Sequence, residues 1–355
     1  MDDDSRAVIH PNESDLQGGS DAYARAGVDI AAGNEAVARY KEFSSWRHPL
    51  AIGGIGGFAG LFRVPGDERR ALVASTDGVG TKVLIAAELR RFDSVGADLV
   101  NHCVNDIVVT NATPLFFLDY LAVGKLEPGV AAELVGSVER ACRAHEMALL
   151  GGETAEMPGV YSAEHFDLAG TIVGIVELDR VPDPARVVPT DAIVGFPSVG
   201  LHTNGYSLAR ALLPADEWNR TLSDGTTIAD ALMAPHPSYY REVRAVEAVS
   251  PIKAMAHITG GGLPENVPRS LPPGVKAVFE QSRWSIPPIM QELIARGKLT
   301  HAERYRTLNM GLGFIVIVSL DDAETVERSV PGAKIVGWIE ARREGDPSVL
   351  IHPPR

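Results

Sequence analysis

The chain has 355 residues, 45% of them hydrophobic, a length that predicts two domains rather than one core. Its formal net charge of −13 argues against partners such as nucleic acid and anionic membranes, so a polyanionic ligand needs local help from Mg²⁺, backbone N–H groups or placed Lys and Arg. The only cysteines, Cys103 and Cys142, form no CxxC pair, which excludes a disulfide framework or zinc knuckle, and no apolar run approaches the roughly 18 residues of a membrane helix.

Residues 1–21 are polar and acidic and read as a disordered tail, without the apolar stretch of a signal peptide; the expectation is a cytoplasmic chain. Residues 23–41 are compatible with a helix and contain AGVDIAAGN. The run GGIGGFAG, residues 53–60, is too rich in glycine for a regular element and reads as a mobile loop. Its Gly54, Gly56 and Ala59 imitate a dinucleotide fingerprint, but no strand leads closely into it and no helix follows directly. A strand is expected at 71–76, helices at 84–92 and 96–109, a strand at 115–124, an amphipathic helix at 127–146 and a strand at 167–178. After MALLGG a loop is expected. The proline-rich stretch 180–191 is the linker candidate. A second series follows: strand 192–196, helices 204–213 and 238–249, strand 275–280, helix 287–296, strand 313–319, helix 322–330 and strand 334–340. Strands and helices mix in both halves, so the fold class is α/β or α+β, with an N-terminal domain over 22–180 and a C-terminal domain over 190–345.

Five stretches carry chemistry. STDGVGTK, residues 75–82, ends a strand on Asp77, a hard oxygen ligand for Mg²⁺. Its glycines let backbone N–H groups approach phosphate, and Lys82 adds a point charge. The plain alternative is a solvated corner. In GADLVNHCVND, helical spacing puts Asp98, His102 and Asn105 in one stripe, flanked by Asn101 and Asp106. No Lys, Arg or Glu lies between residues 96 and 106, which favours a divalent-metal wall over a solvated face. GGETAEMPGVY, residues 151–161, presents Glu153, Thr154 and Glu156 from a strand-end loop, with an ordinary acidic turn as the equal alternative. GLHTNGYSLAR offers His202 ahead of a helix capped by Thr203 or Asn204. HITGGGLPENVPR offers Thr259 with Gly260, Gly261 and Gly262 as an anion nest, and Arg269 as a bidentate clamp. Taken together these residues predict a metal-requiring enzyme of phosphoryl chemistry.

Eight blocks, AGVDIAAGN, STDGVGTK, VGADLVNHCVND, PLFFLDYLAVGKL, GGETAEMPGVY, HTNGYSL, HITGGGLPENVPR and YRTLNMGLGF, resemble in order the signatures of the phosphoribosylformylglycinamidine cyclo-ligase (aminoimidazole ribonucleotide synthetase) family. They span residues 23 to 314. The resemblance implies an AIR-synthetase-like two-domain fold, with N-terminal domains pairing into a β-barrel across a homodimer and α/β C-terminal domains. It implies ATP and Mg²⁺, and ring closure of formylglycinamidine ribonucleotide to aminoimidazole ribonucleotide, ADP and phosphate. Carried onto this chain, it puts metal at Asp77, Asp98 and Asp106, and the ATP phosphates at Lys82, Gly56 and Gly57. Asp29 and Asn34 would close over the nucleotide, with Asp106, Glu153 and Thr154 also on the cofactor side. His257 is the first candidate for acid–base or oxyanion help and His202 the second. Asn204, Thr259, Gly260, Gly261 and Arg269 would meet the substrate phosphate. The family pattern usually carries Lys where Arg25 stands, which keeps the charge with a different geometry.

Overall fold

The computed structural model describes residues 27, 30–43, 48–54 and 56–354. The acidic tail, Arg25 and Asp29 lie outside the described residues. Asn34 falls in the helix α1 (Ile30–Phe43), where its backbone alone is described.

Alternation of apolar residues with period two builds the first half into a six-stranded sheet, ordered β1-β2-β3-β6-β4-β5. Its strands are β1 (Ala51–Ile52), β2 (Gly60–Arg63), β3 (Arg70–Gly78), β4 (Thr113–Val123), β5 (Ala148–Glu156) and β6 (Phe166–Glu177). Neighbours are antiparallel except β4 and β5. That parallel step needs a crossover helix, supplied by α4 (Pro128–Ala144), which begins with Pro in its first turn. Two helices, α2 (Lys82–Leu89) and α3 (Val95–Val108), lie between β3 and β4. β6 shows the layering most cleanly: Phe166, Leu168, Ile172 and Val176 are buried beneath the helices, while Thr171, Val173 and Ile175 between them are only partly covered. On the strands beside and beyond it, Leu118, Tyr120 and Leu150 are exposed.

The second half is another six-stranded sheet, ordered β12-β9-β11-β7-β10-β8. In chain order its elements are β7 (Ala192–Pro197), α5 (Tyr206–Leu212), α6 (Ile228–Met233), α7 (Tyr240–Glu247), β8 (Ala254–His257), α8 (Gly262–Asn266), β9 (Val275–Glu280), α9 (Pro288–Gly297), α10 (His301–Thr307), β10 (Leu312–Val318), α11 (Leu320–Ser329), β11 (Lys334–Ala341) and β12 (Val349–His352). All neighbours are antiparallel except β12 with β9. β10 is buried along its whole length, as expected of a strand covered on both faces. The buried apolar residues of both halves form one continuous cluster.

The sequence reading differs from this fold in two instructive places. Residues 151–156, expected as a loop, continue β5. Gly151 and Gly152 suggested a break, but a Cβ on Gly152 would overlap Asp119 of the neighbouring strand, so the glycine is there for close approach within the ladder. Past the expected end at 345, β12 pairs with β9. No helix among the described residues is long and apolar enough to cross a membrane.

Candidate active site

The polar stripe of α3 lies along the seam between the two halves. Asp98 Oδ1 accepts from the backbone N–H of His236 at 2.8 Å, and Asn101 Nδ2 donates to the His236 carbonyl at 2.7 Å. His102 Nδ1 meets Thr203 Oγ1 at 2.8 Å. Asn105 accepts from Tyr239 N at 2.8 Å and donates to Pro237 O at 2.9 Å. Asp106 Oδ1 accepts from His257 Nδ1 at 2.9 Å. Every member of the stripe is thus engaged by the C-terminal half. Leaving one such buried partner unsatisfied costs about 1–3 kcal/mol, so the stripe fixes the relative placement of the two sheets.

The C-terminal end of the stripe borders a cleft. His102 and Asp106 line a cleft of about 510 Å³ between the halves, together with Asp77, Gly57, Thr259 and Arg269. Asp77 Oδ2 accepts from His102 Nε2 at 2.7 Å, and Asp106 Oδ2 lies 3.8 Å from the same nitrogen. Ser75 Oγ donates to Asp106 Oδ2 at 3.2 Å. The imidazole therefore sits between two carboxylates. Burial opposes its charge, but Asp77 and then Asp106 outweigh that, and His102 is pushed up to about 9. Burial likewise pushes Asp77 upward, yet its imidazolium partner holds the carboxyl below the usual range.

Behind this front lie three more imidazoles. His257, at the end of β8, stands behind Asp106; His236 Nε2 is 3.2 Å from His257 Nε2. His202 stacks on His236 with ring centres 4.2 Å apart and adopts φ +64°, a costly conformation for a side chain with a Cβ. Burial, the largest influence on all three, lowers them and keeps them neutral.

Several sequence candidates converge on the cleft: Asp77, Asp106, Gly57, Asn204, Thr259, Gly260 and Arg269 all line it. The Arg269 guanidinium lies over the Phe58 ring at 5.0 Å, which holds it at the mouth. Gly56, at φ +118°, adjoins Gly57. Others sit elsewhere. Lys82, expected at phosphates, and Asp98, expected at metal, are both fully buried. The ammonium lies 2.7 Å from the Asp98 carboxylate and donates to the Ala234 carbonyl at 2.8 Å, so neither charge reaches the cleft. Gly261 caps α8 at φ +87°, and a Cβ on Gly262 would overlap the Tyr305 carbonyl. Backbone geometry thus accounts for two of the three glycines, and Gly260 alone faces the cleft. Glu153 and Thr154 lie on β5, with β6 and β4 between them and β3, about 14 Å from Asp77 by strand spacing. His257 and His202 are buried behind the cleft wall. The residues that sequence reasoning passed over are His102, placed in the stripe but given no role, and His236. The Pro235-His236-Pro237 run was the available signal for the latter.

The donor set fits Mg²⁺ at Asp77 and Asp106. One oxygen from each and a nitrogen of His102 lie within 4.8 Å of one another, and the Asp77 side chain is 41% exposed toward the cleft. Asp98 does not fit, because its carboxylate is already neutralised and sealed.

Comparison with known proteins agrees with this architecture. The AIR synthase related protein family matches through its N-terminal domain over residues 56–176 and its C-terminal domain over 188–349. A phosphoribosylformylglycinamidine cyclo-ligase of Xanthomonas euvesicatoria is 45% identical, over 89% of this chain and 94% of its own length. One from Paraburkholderia phymatum is 43% identical, over 96% of this chain and 98% of its own. Among solved structures, thiamine monophosphate kinase from Aquifex aeolicus shares the fold with a TM-score of 0.61 at 15% identity, covering 90% of this chain and 97% of that one. Hydrogenase maturation protein HypE does so with a TM-score of 0.59 at 18% identity, covering 86% and 91%. With both family domains in order and relatives this similar over nearly their whole length, the chain belongs to the phosphoribosylformylglycinamidine cyclo-ligase family.

Proposed function

We propose that this chain performs the ATP-dependent closure of formylglycinamidine ribonucleotide to aminoimidazole ribonucleotide, ADP and phosphate, in the cytoplasmic synthesis of purines. In this reading the formyl oxygen takes the γ-phosphoryl group of ATP. The amidine nitrogen then attacks the activated carbon, and phosphate leaves. Both ends of the ring-closing step belong to one molecule, so the cleft's contribution is orientation and charge.

The observation that carries the reading is the convergence of Asp77, His102 and Asp106, delivered by β3 and α3, in one cleft with Arg269 and the Gly260 turn. Asp77 and Asp106 would hold Mg²⁺, which neutralises phosphate charge when bound. His102, charged at neutral pH between these carboxylates, holds a proton beside the place where phosphate is transferred and lost. His257 orients Asp106 from behind. Asn204, Thr259, Gly260 and Arg269 would meet the ribonucleotide phosphate, and the Gly56–Gly57 turn, beside Phe58, would meet the phosphates of ATP. The Lys82–Asp98 pair acts as a strut under the His236 loop.

The uncovered sheet face, with Leu118, Tyr120 and Leu150 exposed, supports a homodimer in which two such sheets meet. Glu153 and Thr154 on the edge strand then stand at the subunit boundary. The binding half of the proposal is tested by calorimetric titration of a non-hydrolysable ATP analogue. Mg²⁺-dependent binding that Asp77→Asn weakens at least about tenfold is the expected result. Binding indifferent to both Mg²⁺ and Asp77 would remove the metal assignment.

A further inference from the structure

The cleft carries one cation that no carboxylate claims. Among the described residues the Arg269 guanidinium forms no hydrogen bond or ion pair, and its contact is the Phe58 ring, 5.0 Å away. The Glu265 carboxylate, on the preceding helix α8, is engaged by Arg306 at 2.8 Å. A cation–π contact uses the charge of arginine and none of its N–H donors, so the whole fork stays available to an anion.

The backbone under Arg269 is fixed, and its side chain is not. Val267 and Ser270 of the same turn are buried, and Ser270 Oγ donates to the Met255 carbonyl. The Arg269 side chain itself is exposed. An exposed arginine spreads over many rotamers, and ordering them at the moment of binding weakens affinity. Its platform comes from the other half of the chain. Phe58 stands just ahead of β2 and is partly buried against the apolar core. The Ser75 hydroxyl, on β3, lies 3.4 Å from the Phe58 carbonyl oxygen. The ring is therefore held by its own half whether or not a ligand is bound, and both Phe58 and Arg269 line the cleft.

We propose that Phe58 is the positioning residue of the phosphate clamp. By holding the Arg269 guanidinium at the cleft mouth ahead of binding, it sets the preference of the site for a phosphorylated ribonucleotide over the same ribonucleoside without its phosphate. The proposal rests on the reading that Arg269 meets the ribonucleotide phosphate. Leucine at position 58 would keep apolar packing against the core and lose the π face; tyrosine would keep both.

The experiment measures the Kd of formylglycinamidine ribonucleotide, and of its dephosphorylated ribonucleoside, on the full chain by calorimetry. Mg²⁺ and a non-hydrolysable ATP analogue are held at saturation, so nothing turns over. Phe58→Leu should weaken the ribonucleotide about two- to fivefold, the scale of an exposed cation–π contact, with no change for the ribonucleoside. Phe58→Tyr should retain the wild-type value. Arg269→Met should weaken the ribonucleotide at least about tenfold, and on that background Phe58→Leu should add nothing further. Phe58→Met, which also lacks the ring, is read in the same way if Phe58→Leu does not fold. Equal weakening of both ligands by Phe58→Leu, or an undiminished effect on the Arg269→Met background, would overturn the proposal and leave Phe58 a packing residue. Ribonucleotide binding indifferent to Arg269→Met would instead remove the phosphate reading of Arg269, and the proposal with it.

Discussion

His257 Nδ1 donates to Asp106 Oδ1 at 2.9 Å across the seam between the two sheets. The histidine comes from β8 and the aspartate from α3, so the carboxylate at the cleft is aimed by the opposite half of the chain. Removing that carboxylate takes away the proposed metal contact and leaves His257 without its partner. Asp106→Ala should lower turnover at least about a hundredfold, the scale of losing one preorganised charge at a reacting group, while light scattering still reports the assembled protein. Full activity in this variant would contradict the assignment of Asp106.

Lys82 and Asp98 give a stability prediction rather than a catalytic one. Both side chains are sealed from solvent, and breaking such a pair by removing one partner costs about 3–5 kcal/mol. Lys82→Met should show that loss in urea denaturation. Adding Asp98→Asn should recover part of it, since the amide oxygen still accepts from His236 N. A loss below about 1 kcal/mol for Lys82→Met would mean that the ammonium is hydrated.

A third prediction concerns pH. His102 is raised from 6.5 to about 9, with burial opposing and Asp77 and Asp106 prevailing. Because the folded state holds this proton more tightly, the stabilisation is fully present below pH 6.5 and is lost as pH rises through about 9. In chelator, the unfolding free energy of the wild-type chain should fall between about pH 7 and 9.5, and His102→Gln should flatten that slope. Equal slopes in the two proteins would place the proton elsewhere.

The exposed sheet face makes a fourth. Leu150 is 63% exposed on β5. A charge there would be buried, unpaired, between two copies. Leu150→Glu should shift the light-scattering mass from dimer toward monomer at micromolar concentration. An unchanged mass would move the interface off this face.

The periodic elements were legible from sequence because their apolar spacing reports burial directly, as β6 and α3 show. The polar stripe of α3 was legible as unusual, but its use was not. Its partners across the seam lie on residues 203 to 257, and nothing local separates an inter-domain seam from a metal wall. Lys82 and Asp98 misled for the same reason: each offers a charge, and only the fold shows them facing each other. The Gly151–Gly152 pair imitated a turn because glycine marks both loops and close backbone approach. His236 carried only the flanking Pro235 and Pro237 as a local signal, because its ring meets Asn105 and His257, which local sequence does not bring near it.

The most direct test of the account is turnover of the purified chain with ATP, Mg²⁺ and formylglycinamidine ribonucleotide, following ADP and the diazotisable aminoimidazole product together. The account predicts product in step with ADP, one for one, with neither formed when Mg²⁺ is withheld. ADP released without aminoimidazole product, or no reaction from a folded protein that binds ATP, would contradict it.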